Sequence, residues 1–164
     1  MNDREQSRMK QNIRIVTATS EDAGRIAPLL DAYRQFYKKA SDVRAAETFL
    51  RERLERKEST VLLALAHEPM TRTDAAAGFT QLYPSFTSVG LGTILTLNDL
   101  FVALEFRRFG VARMLIEGAA KIGRDRGCQR LVLLTEHTNT PAKTLYESMG
   151  WKRDELYARY TLTL

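Results

Sequence analysis

The chain is short of several residue types, and each shortage excludes something. One cysteine, Cys128, in 164 residues rules out a disulfide within the chain and fits a reducing compartment. No apolar run approaches the length of a membrane span, and residues 1–12 (MNDREQSRMKQN) lack the apolar core of a signal peptide; a soluble cytoplasmic protein without membrane partners is expected. There is no internal repeat and no low-complexity segment. Charge of one sign is not dominant either. The 25 Lys and Arg against 20 Asp and Glu leave +5, which suits a polyanionic cofactor or an acidic partner but falls short of a dedicated nucleic-acid binder. What is present is 44% hydrophobic residues, enough for one domain with its own core and short for two. Residues 1–11 are polar and without periodicity, so a mobile tail is expected there and a single domain over residues 12–164.

The most informative stretch is residues 97–121, LNDLFVALEFRRFGVARMLIEGAAK. Its first part is apolar and β-prone. An RxxGxA string follows (Arg107, Gly110, Ala112), and then the apolar residues Val111, Leu115, Ala119 and Ile122 recur at helical spacing. A strand, a tight basic loop and a helix are predicted in that order. The first turn of a helix carries unpaired N–H groups and the positive end of the helix dipole, so such a junction receives anions. Gly110 lets backbone approach a ligand closely, Ala112 keeps the next turn uncrowded, and Arg107, Arg108 and Arg113 add charge. A ligand carrying phosphates is expected, against the plainer reading of a solvated basic corner.

Around this junction, IRIVTAT (13–19) alternates as a strand. Thr19 or Ser20 can cap a helix starting at Glu21, with Ile26, Leu30, Tyr33 and Tyr37 on its buried face and a kink or break at Pro28. A second helix over 43–57 is predicted to bury Ala46, Phe49, Leu50 and Leu54. TVLLALA (60–66) reads as a strand covered on both faces, paired in a hairpin with 75–83; 84–92 reads as a turn-rich link. Beyond the motif helix, Gly127 is a stop signal, 130–135 is another apolar strand whose neighbour Cys128 takes a core role, and 151–164 is predicted to form a final hairpin or strand pair. Helices and strands alternate around one mixed sheet, which defines an α/β or α+β domain.

A second stretch, NTPAKTLYESMGW (139–151), places Pro141 in the first turn of a short helix with Ala142, Leu145 and Met149 on one stripe. Asn139 and Tyr146 lie two helical turns apart, on one side. RxxGxA after an apolar strand, NxxAxxLYxxxGW after the next, and the order of elements together resemble the GNAT superfamily of N-acetyltransferases, from Ile13 to the C-terminus. QLYPSF and LNDLFV look like the branch holding histone acetyltransferase-like and diamine (polyamine) acetyltransferase-like proteins.

The resemblance implies a mainly antiparallel sheet with a splayed parallel central pair, acetyl-CoA as co-substrate, no metal, and a homodimer. It implies that backbone of Leu100, Phe101 and Val102 hydrogen-bonds the pantetheine, that Arg107 together with N–H groups of Arg108, Phe109, Gly110, Val111, Ala112 and Arg113 holds the pyrophosphate, that Asn139 contacts the pantetheine arm or caps its helix, and that Tyr146 is the acid for the departing thiolate. An amine with a pKa near about 10.4 must lose a proton before it attacks a thioester. The polyamine enzymes carry a glutamate where this chain has Asn98. Strand alternation would put Asn98 and Asp99 on opposite faces, so Asp99 does not simply replace that glutamate; Asp99, Glu136 and His137 are the candidate bases, with His67 in a hairpin loop. A further departure is the stretch 103–106 in place of an Asp-Pro turn. Tyr33, Tyr37, Tyr83 and Phe86 are candidates for the acceptor side, while Asp31, Asp42 and Glu47 are scattered among arginines. The expected reaction is acetylation of a small-molecule primary amine; protein lysine or N-terminal acetylation and a non-catalytic acetyl-CoA-binding module are the alternatives.

Overall fold

The computed structural model describes residues 12–68 and 72–164. The expected tail (1–11) and Pro69, Met70 and Thr71 of the first hairpin loop lie outside them. The chain divides into two compact units, one reaching Leu133 and one from Leu134 to Leu164.

The first unit is built on five strands in the order β1 (Ile13–Thr17), β2 (Thr60–Glu68), β3 (Thr73–Thr87), β4 (Gly92–Val102) and β5 (Leu131–Leu133). The first three pairings are antiparallel and β4 runs parallel to β5, which is the mixed, mainly antiparallel sheet expected. The β2–β3 hairpin is present. The link predicted over 84–92 is instead mostly strand: Pro84 pairs with Leu95 and Thr87 with Gly92, leaving a turn only at 88–91. Pairing of β3 with β2 ends at Leu82, so Pro84 stands where its missing N–H interrupts no ladder with β2.

Helices α1 (Ala23–Phe36) and α2 (Val43–Glu55) cover one face of the sheet and α3 (Val111–Asp125) the other. On the first face Ile26, Leu30, Ala46 and Leu50 form one buried cluster with Val61, Leu63, Leu65 and Phe79. Leu50, Leu63 and Phe79 are fully buried, each worth about 1.5–3 kcal/mol in transfer from water. On the second face Val111, Leu115, Ile116 and Ala119 are buried. Contact there is close: a Cβ on Gly123 would lie 2.5 Å from Leu131 Cδ1 and 3.8 Å from Leu95 Cδ1.

Three local expectations change. The helix predicted from Glu21 begins as a 3-10 turn, Ser20–Asp22, with Asp22 accepting from the Thr19 N–H (2.9 Å), and α1 then runs unbroken through Pro28; burial of Ile26, Ala27, Leu29 and Leu30 holds it against the loss of one backbone bond. Phe49 is 41% exposed, because Ala46 and Leu50 already fill the buried side; its ring carries the Arg53 guanidinium at 5.3 Å instead. Cys128 is only half-buried and accepts from Thr93 Oγ1 (3.7 Å).

The corner between α1 and α2 is held by a buried carboxylate. Asp31 accepts from Ser41 Oγ (2.7 Å), the Asp42 N–H (2.7 Å), Gln35 Nε2 (2.8 Å) and Arg34 Nη1 (3.3 Å). These donors, the Ser41 hydroxyl foremost, hold its carboxyl below the usual range.

In the second unit α4 (Thr140–Ser148) forms as predicted, capped by Asn139 and followed by a left-handed Gly150. The hairpin predicted over 151–164 is absent: no strand follows Leu133 among the described residues. Leu156, Tyr160 and Leu162 alternate as in a strand but are exposed, since alternation defines a face and not a partner edge. Asp154 Oδ1 instead accepts from the N–H groups of Leu156 (2.9 Å) and Tyr157 (3.1 Å), an Asx-type turn.

Candidate active site

The parallel pair is unequal in length. β5 pairs only with Leu95, Thr96 and Leu97, while β4 runs on to Val102. β5 ends at Leu133, the partner of Leu97, so backbone of Leu100–Val102 lies beyond the last parallel pair. The Ala103 N–H donates to the Ala77 carbonyl (3.0 Å), tying the end of β4 to β3. A 3-10 turn, Leu104–Phe106, occupies the stretch that departs from the family's Asp-Pro turn and leads into the loop.

Two residues of that loop are left-handed, Arg108 at φ 69° and Gly110 at φ 82°, the latter as N-cap of α3. Met114 donates to the Gly110 carbonyl (3.0 Å); the N–H groups of Val111 and Ala112 have no acceptor within the helix and carry its positive end. Phe109 (6% exposed) and Val111 (1%) are buried, so they anchor the loop and offer a ligand only backbone. Arg107 is engaged locally: its Nε donates to the Val102 carbonyl (3.0 Å) and its guanidinium sits 5.7 Å from the Phe101 ring centre. Its side chain folds the loop onto β4, a role the motif alone did not reveal. An extended edge followed by outward N–H groups and basic side chains fits a ligand with an amide-bearing arm and phosphates.

Where β4 meets β3 the ladder slips. Gln81 pairs with Asp99 but Leu82 pairs with Leu97, leaving Asn98 as the extra residue of a β-bulge. Phe101, opposite the buried Phe79, faces α1 and α2, and Asp99 shares that side. Leu95 is on the α3 side, and so is Leu97, two residues on. Asn98 therefore turns to the α1/α2 side as well, and Asn98 Nδ2 donates to Asp99 Oδ2 at 3.0 Å. The expectation that Asn98 and Asp99 lie on opposite faces is overturned, because alternation holds only while the register does.

Asp99 is partly buried and also hydrogen-bonded by Tyr33. Burial pushes its carboxyl above the usual range, with the Asn98 and Tyr33 hydrogen bonds acting against that shift. Tyr33 packs edge-on to Tyr37 (5.1 Å), Phe101 (6.3 Å) and Phe79 (6.4 Å). Burial, then the charge of Asp99, pushes the Tyr83 hydroxyl up to about 12. Gln81 was missed by sequence reasoning. It is fully buried, donates from Nε2 to Ser59 Oγ (2.9 Å), and its Oε1 has no partner; nothing in a lone strand marks it. Phe86, expected on the acceptor side, is 77% exposed. His67 is tied to Asp74 (3.0 Å), which also accepts from Arg14 (2.6 Å).

In the second unit, Asn139 Oδ1 accepts from the Ala142 N–H (3.4 Å), so its capping role is realised. Tyr146 is half-buried, its ring 5.9 Å from that of Trp151. Glu136 and His137 are exposed; the His137 carbonyl accepts from Lys143 Nζ (2.7 Å). Among the described residues no three His, Cys, Asp or Glu side chains group to hold a metal, and no helix is long and apolar enough to cross a membrane.

A β4 that outruns its parallel partner and leads to a left-handed glycine at a helix N-terminus suits an acyl-CoA-dependent transferase, and residues 26–151 match the acetyltransferase (GNAT) family model; the chain belongs to that family and is an acetyl-CoA-dependent N-acetyltransferase. It is 42% identical over 147 residues to YhfO of Bacillus subtilis, described as an uncharacterized N-acetyltransferase, covering 90% of this chain and 95% of the relative. It is 30% identical over 142 residues to a thialysine N-epsilon-acetyltransferase of Caenorhabditis elegans, covering 86% and 84%. The crystal structure of a probable acetyltransferase superposes with a TM-score of 0.84 at 42% identity, covering 92% of this chain and 97% of the other.

Proposed function

We propose that the protein acetylates a primary amine of a small molecule by direct attack within a ternary complex, as a cytoplasmic homodimer. The observation that carries this reading is the end of β4, beyond its last parallel pair, running towards the left-handed Gly110 of α3, joined to a partly buried carboxylate, Asp99, on the same strand. A relative named for N-epsilon acetylation of thialysine supports the small-molecule acceptor. The single cysteine fits the compartment; the homodimer rests on the family resemblance.

Acetyl-CoA supplies an activated acyl group and a thiolate leaving group. Backbone of Leu100–Val102 would bind the pantetheine as an added strand and stabilise negative charge building on the thioester oxygen. N–H groups of Arg108–Arg113 would hold the pyrophosphate, with Arg108 and Arg113 adding charge and Arg107 keeping the loop in place. Asn139 would meet the pantetheine arm with the part of its amide not spent on the cap. Asp99 or His137, directly or through water, would take the ammonium proton, and Tyr146 would protonate the departing thiolate.

Thiol release from acetyl-CoA with polyamines, aminosugars, amino acids and lysine peptides tests this. Release with one small-amine class, reduced about a hundredfold in Tyr146→Phe with CoA affinity unchanged, is expected. Release with lysine peptides alone would move the acceptor to proteins. Retained CoA binding with no release from any acceptor would leave a binding module.

A further inference from the structure

Helix α2 carries its outward charges the wrong way round for its own dipole. Arg44 stands in the first turn, where a helix is positive, and Glu52 and Glu55 stand in the last, where it is negative. We propose that this outward face is a two-fold contact between two copies of the chain, the helices antiparallel about Thr48, with Arg44 of each copy against Glu52 of the other. The contact rests on the homodimer proposed above and is independent of the acetyl transfer.

Arg44, Thr48 and Glu52 recur every four residues and so form one row along the helix, with Ala45 and Phe49 beside it. All five are exposed, and with Asp42 they line a shallow hollow of about 430 Å³. The Thr48 hydroxyl donates back to the Arg44 carbonyl (3.0 Å), so the middle of the row demands no polar partner. The Phe49 ring is already held against the Arg53 guanidinium (5.3 Å), and burying it costs little further order. A two-fold axis through Thr48 sets position 52 of one helix against position 44 of the other, since each lies four residues, about 6 Å, from that axis. The same axis lays each Phe49 ring over the small side chains at Ala45 and Thr48 of the other copy.

Both charges of the row are available to a partner. Among the described residues the Arg44 guanidinium meets no carboxylate, and Glu52 touches only Arg53 (3.2 Å), through one of its two oxygens. The other charges of α2 are spent within the chain: Glu47 pairs with Arg51 (2.6 Å), Arg53 with Glu58 (2.5 Å), and Asp42 caps the helix through the Ala45 N–H (2.9 Å). Antiparallel docking brings Glu52 of one copy beside the positive first turn of the other, and Arg44 beside its negative last turn, so each helix gains from its partner the charge its own dipole lacks. A patch that complements itself in this way is what a closed two-fold dimer requires. A single helix face is small for an interface, so dissociation in the micromolar range is expected.

Sedimentation velocity of the full chain, from about 1 µM to about 500 µM, reads the dimer. Wild type should dimerise. Arg44→Glu and Glu52→Arg should each weaken the dimer roughly tenfold, because each sets like charges face to face twice per dimer, and the double variant should return to within about threefold of wild type. Each single change gives α2 a charge that suits its own dipole, so the Tm should hold or rise and a weakened dimer cannot be laid to unfolding. Thr48→Cys in a Cys128→Ser chain should cross-link two copies under mild oxidation, since the axis brings those positions together; Arg44→Cys in the same background should not. A dimer of unchanged affinity in both single variants, a double variant that is not restored, or a cross-link at position 44 and none at 48 would overturn the surface while leaving the homodimer standing. A wild type that stays monomeric throughout would overturn both.

Discussion

Two carboxylates on the α1/α2 side of the sheet meet opposite environments. Asp31 is 2% exposed yet its carboxyl is held below the usual range, because donors from Ser41, Asp42, Gln35 and Arg34 converge on it. Asp99 receives two side-chain hydrogen bonds, and burial raises its carboxyl. Burial alone therefore does not set the direction; the number of donors does. A saturated carboxylate ties a corner together. One left with spare acceptor capacity is a liability to the fold and an opportunity for a ligand.

The sharpest way to break this contrast is to neutralise each carboxylate in turn. Asp99→Asn should lower kcat/KM for the best amine about a hundredfold while the Tm holds or rises. The sign follows from linkage: a carboxyl raised in the folded state contributes stability at low pH that is lost as pH rises through its folded value, so its charge is unfavourable at neutrality. A fall in Tm with activity retained would reverse the assignment. Asp31→Asn should do the opposite, lowering the Tm by roughly 5–10 °C and leaving kcat/KM within about twofold; thermal melts and steady-state rates on the two variants decide.

Acid sharpens the same comparison. Stability from the depressed Asp31 carboxyl is present above its unfolded value of about 3.9 and is lost as pH falls through its folded value. Wild type should thus lose more Tm than Asp31→Asn as the pH is lowered through that window, measured by calorimetry. The smallest effect is expected from Tyr33→Phe: kcat/KM about threefold lower, with the acid limb of the pH–rate profile displaced upward, since a hydrogen bond that lowers the Asp99 carboxyl is removed. An unmoved limb would detach Asp99 from the proton inventory.

Local features of the chain were readable in advance. The spacing of Val111, Leu115 and Ala119 predicts the buried side of α3, and RxxGxA predicts a tight loop ahead of that helix, because both depend on neighbours in sequence. Asn139 likewise announces its cap. What escaped prediction depends on a partner strand or a competing side chain. The bulge at Asn98 is a relation between β3 and β4, so alternation along β4 alone gives the wrong face. The hydrogen bond from Arg107 Nε to the Val102 carbonyl is likewise a tertiary feature that the motif does not reveal. Pro84 read as a link because its ladder partner Leu95 lies across a turn. The strand pattern over 156–162 names a face without an edge to meet it.

The bulge also bears on how this chain can change over evolutionary time. It acts as a one-residue frameshift within β4: upstream, odd-numbered Leu95 and Leu97 belong to the α3 side, and downstream, odd-numbered Asp99 and Phe101 belong to the other. Replacing the side chain at position 98 leaves this reading frame intact, so substitutions there keep both faces of the strand in place. Deleting that residue would turn one half of the strand inside out, moving either the leucines out of one core or Asp99 and Phe101 off the opposite face. Descendants of this sequence can vary what stands at position 98, but not whether something does.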